Sequence, residues 1–187
     1  MKLSPSIHIV RNTLLAAVLA VPLAGGAIVQ AQKGGDAEIL AWLIALNENE
    51  VGAATIAEQK ATTAGQPKLS EPVVAYARML HEQHAKGVQD TKALAGKIGV
   101  APVETAAVEE LRAKGKQGQG KLTPLAGNQF EREFVAQMVT GHREAFQKVE
   151  AFLKTASHEA LKKHLSATRE RVAMHLKEGE RLQSLQS

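Results

Sequence analysis

The chain has 187 residues, which is enough for one domain with a hydrophobic core and a short processing segment. It contains no cysteine, and this excludes disulfides, thiolate metal sites and covalent c-type haem. The formal net charge is only +4 and aromatic residues make up 3% of the chain, so basic patches interleaved with aromatic rings are missing. We therefore expect a single domain that does not bind nucleic acid.

The first 31 residues have the features of a secretory signal. Lys2 and Arg11 provide positive charge, Leu14 to Leu23 form an apolar run, and small residues end at Ala31. We predict cleavage after Ala31, which leaves residues 32–187 as the mature domain. A cleaved signal predicts a periplasmic or secreted location in the cell envelope.

A retained membrane anchor is the alternative reading of this segment, because the run from Leu14 to Val29 carries no charge. The run is short for a spanning helix and is interrupted by Pro22 and Gly25. We expect contact with a membrane only through this segment, and only if it is not cleaved.

Past the signal, Ala, Leu, Glu, Lys and Gln dominate and β-branched runs are scarce, a composition typical of an all-α domain. Asp36, Ser70 and a capping box formed by Asn128 and Glu131 are the predicted starts of three long helices, and Ser157 starts a fourth. The four predicted helices cover residues 36–64, 71–98, 129–154 and 157–186.

A long connection, residues 99–127, separates the second and third predicted helices. We expect a short helix from Glu104 to Lys114 that ends at Gly115, followed by a mobile, solvated loop over residues 116–121. A ferritin-like bundle uses such a connection to return the chain along its own length. The predicted fold is therefore an all-α, ferritin-like four-helix bundle with a long connection between its second and third helices.

Each predicted helix carries a stripe of mainly apolar residues at steps of three and four, typical of a face packed into a bundle. Near its midpoint each stripe contains one residue able to bind a metal. Helices of equal length packed side by side bring their midpoints to one level, so these side chains should meet. An unpaired buried polar group costs about 1–3 kcal/mol, so one bound ion is the simplest explanation for four buried polar side chains at one level. These side chains belong to Glu50, His84, His142 and His175.

Three imidazoles and one carboxylate are a suitable ligand set for zinc, copper, iron or manganese. Other residues have two readings each. His81, three residues before His84, is either a fifth ligand or a residue at the rim. Met138 is either a soft copper ligand or core filler. Glu178 either orients the imidazole of His175 or faces solvent.

Two rival functions remain open beside metal binding. The histidines could form a pH-sensitive core without metal in an envelope stress or interaction protein. Alternatively, three ligands and an open position could support an enzyme, with Glu50 as a general base. No nucleophile elbow, phosphate loop or second acid accompanies these residues, so we lean toward a protein that is not an enzyme.

At these residues the chain resembles the secreted ferritin-like bundles catalogued as domain of unknown function 4142. The matching segments are NENEVGAATIAEQKA, VVAYARMLHEQHAKGVQDTKALAGKIGV, FEREFVAQMVTGHREAF and TRERVAMHLKEGERL. The resemblance implies a ferritin-like four-helix bundle in the periplasm or outer envelope, and it implies no established activity. The recurrent polar positions of the family correspond to Glu50, His84, His142 and His175. The stripe holds a single carboxylate, unlike that of di-iron ferritins, so we expect a mononuclear site or none.

Overall fold

The computed structural model describes residues 26–186, with side chains described from residue 35 onward. Within this range the chain is all-helical, as its composition predicts, and no described helix is long and apolar enough to cross a membrane. Most of the predicted signal segment lies outside the described residues. The five helices are α1 (Gly26–Thr62), α2 (Glu71–Ile98), α3 (Ala106–Leu122), α4 (Gly127–Thr155) and α5 (Glu159–Leu185).

The four longer helices contact one another in a ring. Helix α1 packs on α2, α2 on α5, α5 on α4, and α4 on α1, while the shorter α3 lies mainly against α1 and touches α4. The interior consists of two hydrophobic clusters, and each long helix contributes to both. The order of the clusters along the chain shows that α1 and α5 run opposite to α2 and α4.

The predicted apolar stripes are the buried faces of the helices. In α5 the steps of three and four coincide with the buried residues, which are Leu161, Leu165, Thr168, Val172, His175, Gly179 and Leu182. In α4 the residues at these steps are likewise buried, and they are Val135, Met138, His142, Ala145, Val149 and Phe152. The periodicity of the sequence therefore predicts which face of each helix enters the core.

The predicted span of α2 is observed at both ends. Gly99 adopts a left-handed conformation with φ of 66°, and its N–H bonds to carbonyls of the last turn. Ser70 occupies the N-cap position, but its amide and its hydroxyl both bond to the carboxylate of Glu131, the hydroxyl at 3.0 Å. The predicted capping box of Asn128 and Glu131 is therefore wrong. The carboxylate of Glu131 accepts hydrogen bonds from Ser70 at the start of α2, and α4 already begins at Gly127.

The predicted start of the first helix at Asp36 is also wrong, since α1 begins at Gly26 and continues through Asp36. The carboxylate of Asp36 caps a different helix. Its oxygens accept from the amide and hydroxyl of Ser157, at 2.9 and 2.7 Å, and from the amide of His158 at 3.0 Å. This contact stabilises the turn between α4 and α5, which contains neither Gly nor Pro.

The expected loop over residues 116–121 is a helix instead, because α3 runs from Ala106 to Leu122. Its ends are anchored by the fully buried side chains of Val108 and Leu122, one in each hydrophobic cluster. Glycines that reduce helix propensity in isolation allow close packing here. A Cβ on Gly115 would collide with the side chain of Asn49 on α1, which donates to the carbonyl of Leu111 at 2.8 Å.

Replacing Asp36 tests its role in holding the turn between α4 and α5. Asp36→Ala should lower the free energy of unfolding by about 2–3 kcal/mol, because it removes charge-assisted hydrogen bonds and leaves their donors without an acceptor. Urea unfolding measures this loss. Ser157→Ala should cost less in the Asp36→Ala background than in the wild type; full additivity of the two losses would contradict the contact.

Two glycines of α3 provide a matched pair of substitutions. Gly120→Ala should raise the free energy of unfolding by about 0.5–1 kcal/mol, because alanine is the better helix former and its Cβ would meet no atom within 4 Å. Gly115→Ala should lower it by about 1–2 kcal/mol, because Asn49 must move. Thermal or urea unfolding distinguishes the two; stabilisation by both would show that α3 does not pack closely against α1.

Candidate metal centre

A layer of polar side chains separates the two hydrophobic clusters. Along each long helix, the residues of one cluster end before this layer and those of the other begin after it. All the predicted ligands are buried in the layer, one from each of α1, α2, α4 and α5: Glu50, His84, His142 and His175. Helical periodicity therefore predicted both the face and the level of these residues.

Three of these residues form a close group. Nε2 of His84 lies 3.3 Å from Nε2 of His142, which in turn lies 3.2 Å from Nδ1 of His175. One ring nitrogen from each histidine lies within 4.8 Å of the other two. These three imidazoles are brought together around one point of the core.

The tautomers of two of these histidines follow from what their outer nitrogens contact. Nδ1 of His142 lies 2.8 Å from the carbonyl oxygen of Met138, and a carbonyl can only accept, so this nitrogen carries the proton. Nδ1 of His84 lies 2.8 Å from Oδ1 of Asn47. The amide of Asn47 is oriented by its NH₂ group, which donates to the carbonyl of Leu43 at 2.6 Å. His84 therefore also carries its proton on the outer nitrogen.

His175 follows the same arrangement. Its Nε2 donates to Oε1 of Gln83 at 3.0 Å, which leaves Nδ1 without a proton. The hydroxyl of Tyr76 donates to the backbone carbonyl of His175 at 2.9 Å and helps to fix the position of α5. In the neutral state all three inner nitrogens present lone pairs to one another, and no proton is available to bond them.

The surroundings keep the imidazoles of His84 and His175 neutral. Burial lowers the pKa of His175 to about 3, and His142 and Arg171 add to the effect. Burial likewise places the pKa of His84 well below 6.5, with contributions from the other two histidines and from Arg171. A neutral imidazole is the form that binds a metal, so burial maintains His84 and His175 in the ligand-competent state.

Glu50 lies beside this group and not within it. Its side chain is 7% exposed, and its Oε2 has no hydrogen-bond partner among the described residues. The carboxylate does not belong to the set of atoms within 4.8 Å of one another. Burial raises the pKa of Glu50, and the nearby His142 opposes that shift. The structure therefore presents a buried carboxyl without a partner next to three imidazoles.

The other candidate residues lie outside the centre. His81 is at the rim of the helix pair, where its Nδ1 contacts the carboxylate of Glu58 at 2.7 Å. Glu178 forms two hydrogen bonds with Arg181 on the surface and does not orient a histidine. Met138 is buried, and its backbone carbonyl accepts from Nδ1 of His142.

Sequence reasoning missed the residues that orient the imidazoles. Asn47 lies one turn before Glu50 on the buried face of α1, and this placement of an amide was the available signal. Gly87 makes room for it, because a Cβ at Gly87 would collide with Oδ1 of Asn47. Gln83, the neighbour of His84 in sequence, gave no pattern that would indicate contact with α5.

The pKa shifts predict that the metal-free protein loses stability as the pH falls below about 6.5. Unfolded His84 and His175 bind protons that the folded state excludes, so each adds a slope of about 1.4 kcal/mol per pH unit between its unfolded and folded pKa. For His175 this window runs from 6.5 to about 3. The raised pKa of Glu50 has the opposite sign and offsets part of the slope above pH 4.5.

Unfolding free energies measured across this range by urea titration test the prediction. His175→Gln should reduce the slope by up to about 1.4 kcal/mol per pH unit, because one of the groups that titrate in this range is gone. A variant with the slope of the wild type would show that His175 is protonated equally in both states.

Comparison with known proteins gives a family and no characterised relative. No curated protein and no solved structure matches the chain. A family model described as Domain of unknown function (DUF4142) matches residues 23–182, which include helices α1 to α4, most of α5 and every residue of the centre. The chain therefore belongs to the family described as Domain of unknown function (DUF4142).

Proposed function

We propose that this protein binds a single transition-metal ion between His84, His142 and His175. The observation that carries the proposal is that one nitrogen from each of the three imidazoles lies within 4.8 Å of the other two, with two of the separations at 3.3 and 3.2 Å. Neutral imidazoles in these tautomers repel one another, and a cation between them converts the repulsion into attraction.

The spacing of the nitrogens fits such an ion. Metal–nitrogen bonds of about 2.0–2.1 Å at tetrahedral angles require ligand nitrogens about 3.3–3.4 Å apart, close to the separations of 3.3 and 3.2 Å in the structure. Each outer nitrogen donates to an oxygen, from Asn47, Met138 or Gln83. This is the usual arrangement around histidine ligands, because it fixes the ring and increases the basicity of the inner nitrogen.

Glu50 is the proposed fourth ligand, or the group that balances the charge of the ion. A buried carboxyl without a hydrogen-bond partner is costly, and a neighbouring cation would remove that cost. The ligand set suits zinc, copper, iron or manganese. When bound, the ion would link four helices through one centre.

We propose a carrier, storage or structural role and not catalysis. The three histidines are at most 4% exposed, and hydrophobic clusters lie on both sides of them. A catalytic zinc keeps an open coordination position for water or substrate, and a centre enclosed in this way favours retention of the ion.

A histidine core that responds to pH without any metal is the second candidate function. The lowered pKa of His84 and that of His175 favour it, because acid would charge buried rings that face one another. An envelope protein with this core would loosen in acid. Metal-free protein whose stability does not change between pH 7 and 5 would contradict this candidate.

The cellular setting of the proposal is the envelope, in a ferritin-like four-helix bundle. The ring of long helices and the return of the chain through α3 support the fold. The predicted signal segment, with cleavage after Ala31, supports export. Elemental analysis of processed protein isolated from its own compartment would identify the ion.

Metal titration tests the proposed centre. Protein without a histidine tag should bind one equivalent of Zn²⁺ per chain in competition with a chromophoric chelator. His142→Ala should weaken binding at least about 100-fold, because it removes the central ligand, and Asn47→Leu should weaken it about 10–100-fold by freeing the ring of His84.

His81→Ala is the matched control, since His81 is a histidine of the same helix as His84 but lies outside the centre. It should bind zinc as the wild type does. Failure of the wild-type protein to bind zinc, copper, iron or manganese, or full occupancy in His142→Ala, would overturn the proposal.

A further inference from the structure

A groove of about 550 Å³ lies between α1, α3 and α4, next to the histidine centre. Most of its inner surface is apolar. The contributing side chains come from all three helices and include Trp42, Leu46, Ala53, Leu111 and Met138. Binding sites for small molecules commonly have volumes of about 300–1,000 Å³ and walls of this kind, so the groove has the size and surface of a ligand site.

Glu50 is the polar group of the inner wall. Its carboxyl lines the groove, is 7% exposed, and has an oxygen without a hydrogen-bond partner among the described residues. Gly141 of α4 faces this carboxyl, and a Cβ there would lie 3.5 Å from Oε1 of Glu50. The absence of a side chain at Gly141 keeps space open beside the carboxyl.

The charges at the mouth of the groove balance one another. The groove is lined by three lysines and by three glutamates. They are Lys114, Lys121, Lys148, Glu110, Glu133 and Glu144. Lys114 pairs with Glu144, and the ammonium of Lys148 lies 4.9 Å from the ring centroid of Phe152. The acidic group that can select a ligand is therefore the carboxyl of Glu50 at the inner wall.

We propose that this groove binds a small apolar molecule that carries one primary amine, with the amine donating to the carboxyl of Glu50. The apolar body replaces water along Trp42 and Met138. The amine donates to Oε1 of Glu50, the carboxyl oxygen beside Gly141, because Oε2 is enclosed by protein. The inference goes beyond the metal centre and does not depend on it, because the groove and its unpartnered carboxyl are present without an ion.

Trp42 makes the test direct, because it is the only tryptophan of the chain and lines the groove. Its emission is followed in chelator-treated full-length protein as three probes are added. Benzylamine carries the proposed amine, ethylbenzene replaces the ammonium with a methyl group, and benzoate carries the opposite charge. Benzylamine should change the emission saturably and bind about tenfold more tightly than ethylbenzene; benzoate should bind weakest.

Three variants assign the effect to the groove and to Glu50. Glu50→Gln keeps the shape of the side chain and should reduce the affinity for benzylamine about tenfold while leaving that for ethylbenzene unchanged. Glu110→Gln, at the mouth, should behave as the wild type does. Ala136→Phe places a ring in the groove and should weaken the binding of both benzylamine and ethylbenzene, with circular dichroism confirming the fold of each variant.

The outcomes separate this inference from the metal proposal. No response to benzylamine, equal affinity for ethylbenzene, or tighter binding of benzoate would each overturn it. An unchanged affinity for benzylamine in a folded Glu50→Gln or Ala136→Phe protein would overturn it as well. Zinc binding by the wild type is decided independently by the chelator competition, so either idea can fail while the other stands.

Discussion

The structure depends on a layer of three imidazoles placed where a helical core is normally apolar. Each ring is held by a hydrogen bond from its outer nitrogen, to Asn47, to the carbonyl of Met138 or to Gln83. These bonds direct the inner nitrogens toward one another at distances of 3.2 and 3.3 Å. The three outer ring nitrogens therefore have hydrogen-bond partners, whereas the lone pairs of the three inner nitrogens face one another. Such opposition is costly in a medium of low dielectric, and a cation at the centre offsets it.

The rest of the interior is organised around this layer. The two hydrophobic clusters are continuous on either side of it and are joined by the same four helices. Helix α3 bridges both clusters through Val108 and Leu122, and its glycines allow it to lie against α1. The groove results from this arrangement, because α3 contacts α1 more extensively than α4. Glu50 faces both environments, with His142 near it and the groove along its side.

Helical periodicity predicted much of this organisation from the sequence. Steps of three and four located the buried faces, and the midpoints of the helices located the common level of the histidines. Such reasoning works because burial of a continuous apolar stripe dominates helix packing. Periodicity could not show that the carboxyl of Glu50 lies farther from the centre than the imidazoles do. The distance of a side chain from the centre depends on backbone positions that periodicity does not specify. Whether Glu50 binds an ion is therefore a question for experiment.

The errors in prediction have a common physical origin. The sequence patterns suggest that these residues act on their neighbours in the chain. In the fold they contact residues that are distant in sequence. Asp36 and Glu131 resemble helix caps in sequence, yet each bonds to a segment far along the chain. The glycines of α3 resemble a loop, yet contacts with α1 outweigh their low helix propensity. Tertiary contacts decide such cases, and they are not visible in a window of a few residues.

The contact between Asp36 and Ser157 has a consequence for biosynthesis. The two residues are 121 positions apart, so the acceptor is made long before its donors. Until α4 and α5 have been synthesised and have packed against α1, this carboxylate must stay hydrated, and water cannot be excluded from the region around it. The region around Asp36 therefore completes its hydrogen bonds only after the turn between α4 and α5 has been synthesised.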